Sequence, residues 1–381
     1  MKIGRAEAFL IRLPLLLTVR HALAARRESL SLVVRLCDDR GNEGWGEGVP
    51  RDYVTGESAE NSFEHLAAVL LPSLVDTVVK DPEEVLPAVT RLLSPSPGDQ
   101  TCSCAAELAL LDLAGKAFCR SAASWFGGPR RQSVRYSVVL PLLDPAEMSA
   151  FLAGVRSLGV SHLKIKAEGD RWPEALAEAR AVLGDAVTIA VDANGSWDLD
   201  AAVGHLREME RYRVAWVEQP LPRGREDEIP LLAQRSAIPL MADESLTTVE
   251  EAMQLVRQGG YRLFNLRVSK LGGLAASHRI ARIARENGVR LQVGCQVGES
   301  SLLSAAGRLL AATLPEIEAL EGSYGTRLLE NDVSDEPYEF GRGGSAEVQQ
   351  TPGLGVTVSP ERFARLVVKS AVSTSQTRRS S

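Results

Sequence analysis

From about residue 133 the chain alternates short apolar β-type runs with longer segments of helical periodicity, and chemistry-bearing side chains end those runs at a nearly constant interval. Asp192, Glu218, Asp243 and Lys270 close successive runs at separations of 26, 25 and 27 residues, and Cys295 follows after 25 more. A unit of that size holds one strand, one helix and two connections, so the repeat predicts parallel strands joined by crossover helices. Eight runs are legible, at 136–140, 162–166, 188–192, 214–218, 239–243, 263–268, 290–294 and 317–321. A doubly wound open sheet has the same local alternation. The count of eight, with polar residues at nearly every strand end, favours a closed (β/α)8 barrel whose site is assembled from many strands.

The first 130 residues read differently. Residues 30–36 predict a strand, 37–44 a turn and 45–49 its partner, an α+β beginning. In 105–117, Ala106, Leu110, Leu113 and Ala117 recur at helical spacing with Glu107 and Asp112 elsewhere on the helix, which is expected to pack on the domain that follows. The organisation expected is an α+β capping domain over 1–130, the barrel over 131–322, a C-terminal segment over 323–369 that rejoins the cap through a helix at 360–368, and a frayed tail over 370–381.

Composition excludes several classes of function. The 381 residues are 45% hydrophobic and 24% charged, with a mean hydropathy of −0.05, as in an ordinary globular protein. Forty-three Lys and Arg against 49 Asp and Glu leave a net charge of −6, so no global positive field holds nucleic acid or a membrane surface. Five cysteines lack the paired spacing of a zinc site or a disulfide framework. The apolar stretch 9–19 is broken by Arg12 and Pro14 and does not read as a secretory leader. A cytoplasmic enzyme acting on a small molecule is expected.

If strands three, four and five are neighbours, Asp192, Glu218 and Asp243 converge, and three anions that close require a cation between them. Oxygen ligands with open positions suit Mg2+, with Mn2+ as a substitute. Asn194 follows at the next turn. Lys164 and Lys166, two apart on one strand, share a face, and Lys270 ends a strand four places away, across the mouth of an eight-stranded ring. A dication and a second ammonium nearby both lower a lysine pKa toward the range of a general base. The set suits removal of a proton next to a carboxylate, because a dication stabilises the enediolate that results and bases on opposite faces permit either stereochemistry. A rival reading makes Lys166 or Lys270 a Schiff-base nucleophile in an aldolase-like barrel.

The ordered set Lys164-Ile165-Lys166, Asp192-Ala193-Asn194, Glu218-Gln219-Pro220, Asp243-Glu244 and Lys270-Leu271-Gly272-Gly273 resembles the enolase superfamily, muconate lactonizing enzyme subgroup, over nearly the whole chain. Residues 106–116 resemble the helix leading into that family's barrel. The resemblance implies a modified (β/α)7β TIM barrel, magnesium on Asp192, Glu218 and Asp243, acid/base roles for Lys166 and Lys270, and Lys164 close to the substrate carboxylate. Glu244, one residue past a ligand, is expected to point elsewhere and to act in support.

The resemblance further implies a racemase or epimerase of an amino-acid-derived carboxylate, with a cycloisomerase or o-succinylbenzoate synthase as alternatives, and self-association. Candidate contacts to the substrate are Asn194, Cys295, Gln296, Glu299, Glu321, Tyr53 and His21. Dipeptide epimerases of the subgroup carry an Asp-x-Asp pair at strand eight, where this chain has Glu321-Gly322-Ser323, so the pairing that holds a substrate ammonium is lost. Strand seven, running Gly294 to Ser300, carries one residue more than the form seen in some relatives.

Overall fold

Residues 1–21, 24–167, 169 and 171–375 are described in the computed structural model, without the side chains of 20, 21, 24 and 25. The chain opens with an antiparallel ribbon, β1 (Ile3–His21) on β2 (Ala24–Asp38), followed by β3 (Glu43–Gly48). β3 pairs antiparallel with β2 from Leu32↔Gly48 to Cys37↔Glu43. Three glycines at alternate positions of β3 make room for α1 (Gln100–Ala117). A Cβ on Gly44, Gly46 or Gly48 would stand 2.2–2.3 Å from a backbone carbonyl oxygen of that helix, so only glycine lets the two backbones meet.

α1 is buried on almost every side, and it packs on the cap sheet as well as on the barrel. Its two carboxylates, which periodicity placed away from the apolar stripe, are buried connectors. Asp112 accepts from the backbone N–H groups of Trp45 and Leu354 at 2.9 and 2.8 Å, and Glu107 accepts from that of Ala275 at 2.9 Å.

Eight parallel strands follow in sequence order: β4 (Val138–Leu140), β5 (His162–Lys166), β6 (Thr188–Asp192), β7 (Val217–Glu218), β8 (Leu240–Ala242), β9 (Tyr261–Arg267), β10 (Arg290–Gly294) and β11 (Ala319–Leu320). The ring closes where Ser137 donates its backbone N–H and its hydroxyl to the Leu320 carbonyl, at 2.8 and 2.9 Å. Several strands are shorter than the apolar runs that predicted them, because burial continues into the loops after ladder pairing has stopped. Among the intervening helices, α2 (Pro145–Leu158) follows β4, α3 (Leu274–Glu286) follows β9 and α4 (Ser301–Thr313) follows β10.

At the other end of the chain α5 (Pro360–Leu366) leads into β12 (Val367–Thr374), which pairs antiparallel with β1 from Ile11↔Val367 to Arg5↔Thr374. This corrects the expectation of a frayed tail from Ser370: residues 370–374 are an edge strand, held by a ladder that local composition does not reveal. No helix among the described residues is long and apolar enough to cross a membrane.

Candidate active site

The strand register brings the expected site together. Lys166 lies opposite Asp192, Asp192 opposite Glu218, and Glu218 opposite Met241, two residues before Asp243. Lys164 and Lys166 do share a face. Lys164 Nζ donates to Glu321 Oε2 at 2.8 Å and to Glu218 Oε2 at 3.2 Å, and stands 3.6 Å from Asp192 Oδ2. Lys166 Nζ lies 3.5 Å from Asp192 Oδ2 and donates to Asn194 Oδ1. Asn194 adopts a left-handed backbone, φ 46°. From there its N–H reaches Asp192 Oδ1 at 3.0 Å and its amide reaches Glu244 Oε1 at 3.1 Å.

Across the ring Lys270 is fully buried. Its ammonium donates to the Asp243 carbonyl at 2.7 Å, to Asp243 Oδ1 at 2.8 Å and to the Asn265 carbonyl at 3.0 Å.

The structure surrounds the three expected carboxylates with alternating charge. Among the described residues no three acidic, histidine or cysteine side chains are already gathered to grip an ion. Like charges in a low-dielectric ring repel, and here cations stand between them. The one that sequence reasoning missed is Arg267, whose guanidinium abuts Asp243 Oδ2 and stands 3.7 Å from Glu218 Oε1 and 4.0 Å from Glu244 Oε1. Asn265 donates to Glu218 Oε1 at 2.7 Å, and Gln292 lies 3.4 Å from both Glu218 and Glu321. All three had a sequence signal: each is polar at an alternate position of an otherwise apolar strand, the argument already applied to Lys164 and Lys166.

Glu244 does not point elsewhere; it joins the charged group. β8 ends at Ala242, so strict in-and-out alternation no longer governs the residues after it. Burial, with Asp192 and Glu218 nearby, pushes the Glu244 carboxyl up to about 7.

Protonation separates the two flanks. Burial alone would lower Lys164, but Glu218, Glu321 and Asp192 carry it well above its ordinary value. Burial raises Asp192, and Lys166, Lys164 and Arg267 more than reverse that. Lys270 is pulled well below its ordinary value by burial and then by the neighbouring Arg267.

Above this ring lies a cavity of about 400 Å3. Lys164, Lys166, Asp192, Asn194, Arg267 and Glu321 line its inner end, and Tyr53, Cys295 and Gln296 also border it. Lys270, Glu218, Asp243 and Glu299 are not among its lining residues. Glu299 was expected to meet substrate; instead it braces the loop, accepting from Gln296 N–H at 3.1 Å and Ser304 Oγ at 3.0 Å. Burial and Glu47 raise it to about 8. The side chain of His21 lies outside the described residues.

Buried carboxylate oxygens test whether a cation fits. Glu244 Oε2 is buried without a hydrogen-bond donor and Asp243 Oδ2 meets only the Arg267 guanidinium; with Asp192 and Glu218 they form an all-oxygen donor set of the kind that suits a hard dication. Residues 147–362 match the family described as enolase C-terminal domain-like. The chain belongs to the enolase superfamily.

Among relatives of this superfamily member, N-succinyl-L-Arg/Lys racemase of Bacillus cereus is 28% identical over 372 residues, covering 97% of this chain and 98% of its own. The crystal structure of that racemase superposes with a TM-score of 0.90 at 26% identity, covering 98% of this chain and 100% of the other. Muconate cycloisomerase 1 of Pseudomonas putida is 31% identical over 380 residues, covering 95% and 98%. A dipeptide epimerase from Cytophaga hutchinsonii, solved with Mg and the dipeptide D-Ala-L-Val, shares the fold at a TM-score of 0.88 and 24% identity, covering 98% and 100%. By name the three are isomerases.

Proposed function

We propose that this protein is a magnesium-dependent racemase or epimerase that removes and returns the proton alpha to the carboxylate of an amino-acid-derived substrate. One observation carries the reading: Lys166 at the cavity and Lys270, in the turn after the strand four places away, flank a ring of carboxylates. Asp192, Glu218 and Asp243 would hold Mg2+, with Glu244 beside them. A bound dication supplies Lewis-acid stabilisation of negative charge as it develops on the substrate carboxylate.

The chain's own groups do the rest. Lys164, kept protonated by its three carboxylates, offers fixed positive charge beside the incoming carboxylate. Lys166 Nζ, at the cavity surface, exchanges a proton with the reacting carbon, while Asn194 fixes its position. Lys270 serves the opposite face, and burial beside Arg267 lowers its pKa, the direction that favours a general base. The apolar walls exclude water from the transfer. The five free cysteines support a reducing compartment, the cytoplasm.

A cycloisomerase is the second reading, favoured by the fact that Lys166 lines the cavity and Lys270 does not. Incubating N-acylamino acids in deuterated water with Mg2+ tests both. Racemisation predicts mass gain at the alpha carbon of both enantiomers, abolished by EDTA. Exchange from one enantiomer alone would favour the one-base reading, and exchange from neither would overturn the racemase.

A further inference from the structure

The cavity is divided by chemistry. Its inner end is the charged ring. Its outer wall is built from Val138 and Val139 of β4, Phe151, Val155 and Leu158 of α2, and Phe340. Phe340 is held in place by stacking on Tyr136, with ring centroids 5.2 Å apart and 17° between planes. The one charged group on the outer side among the described residues, Arg327, donates to the Phe340 carbonyl at 2.7 Å, lies 4.6 Å from that ring's centroid and faces Glu339 at 4.0 Å. At the mouth Leu17 and Val297 line the cavity while 45% and 38% exposed, an arrangement typical of a ligand groove.

From this we infer that the substrate carries a bulky, uncharged apolar arm on its reacting carbon, seated between α2 and Phe340. The inference rests on the alpha-proton chemistry proposed above and names the substrate class within it. A charged arm would enter a desolvating wall that, among the described residues, offers no counter-ion between α2 and Phe340. An ammonium arm finds the nearby Glu321 taken by Lys164 at 2.8 Å. An apolar arm gains from leaving water.

Binding is measured by calorimetry with Mg2+ present, using compounds that have no alpha proton and so cannot turn over. N-acetyl-α-methylphenylalanine is expected to bind ~30-fold or more tightly than N-acetyl-α-methylaspartate or N-acetyl-α-methylornithine, the scale set by burying one aromatic ring. Phe151→Ala should weaken the phenylalanine compound ~5-fold and leave the others unchanged. Leu158→Lys places a cation in the last turn of α2, where the helix dipole tolerates it, and should erase most of the preference in favour of the aspartate compound.

Charged compounds binding as tightly as the apolar one, or a preference unmoved by both substitutions, would overturn the inference. Preferential binding without proton exchange from any acid leaves the apolar arm standing and removes the racemase reading. Exchange with a preference for charged arms does the reverse.

Discussion

The two lysine flanks of the ring lie four strands apart, Lys166 ending β5 and Lys270 in the turn after β9, and they are built by different means. Lys164 and Lys166 sit on β5 among carboxylates that come from other barrel strands. The Lys270 flank is clamped from outside by the cap. Val49 donates its N–H to Ser269 Oγ at 2.8 Å, and Glu107 on α1 accepts from Ala275 at the start of α3. Gly273 lies so close that an added Cβ would stand 2.5 Å from the Glu107 carboxyl, and at φ 124° the position favours glycine. One flank is held by charge within the barrel and the other by contacts between domains.

Several substitutions would break or sharpen this contrast. Lys166→Ala and Lys270→Ala are each expected to lower deuterium exchange by about 1000-fold, from opposite enantiomers, as read by mass spectrometry. Equal residual exchange from both enantiomers in both variants would remove the two-base assignment. Lys164→Met strands Glu218, Asp192 and Glu321 without their shared cation, and chemical denaturation should show a loss of about 3 kcal/mol. An unchanged midpoint would mean that the charge network does not hold its flank.

Glu107 gives the cap-clamped flank a pH dependence. Burial raises its carboxyl from 4.5 to about 7, so between those values the unfolded chain releases the proton while the folded chain keeps it. Stability then falls as pH climbs from about 4.5 to 7, by on the order of 3 kcal/mol, and levels off above. In Glu107→Gln that slope should disappear from denaturation midpoints measured across the window. The smallest expected effect is Ser269→Ala, about 1 kcal/mol in the same measurement, from a buried Val49 N–H left without its acceptor.

Much of the site was legible because a strand alternates its faces and a βα unit has a characteristic length. Those two rules placed Lys164, Lys166, Asp192, Glu218 and Asp243 around one ring. They would also have found Asn265, Arg267 and Gln292, had alternate polar positions been sought on every strand. The rules failed where regular backbone stops. Glu244 turned inward because β8 had ended, and Glu299 turned to its own loop, where the amide of Gln296 and the hydroxyl of Ser304 donate to it. Ser370 to Thr374 look unstructured in isolation and become a strand only because β1, over three hundred residues earlier, offers an open edge.

By itself, then, the order of residues determined a barrel of eight parallel strands, an α+β cap and the identity of the charged groups at the strand ends. Periodicity and spacing are properties of the chain, and they survive without knowledge of what packs where. Tertiary structure alone decided which charges meet, that Arg267 stands among the carboxylates, that Lys270 is buried while Lys166 faces the cavity, and that one half of the cavity is apolar. Those outcomes depend on distances between segments far apart in sequence, and Coulomb and desolvation energies are set by such distances.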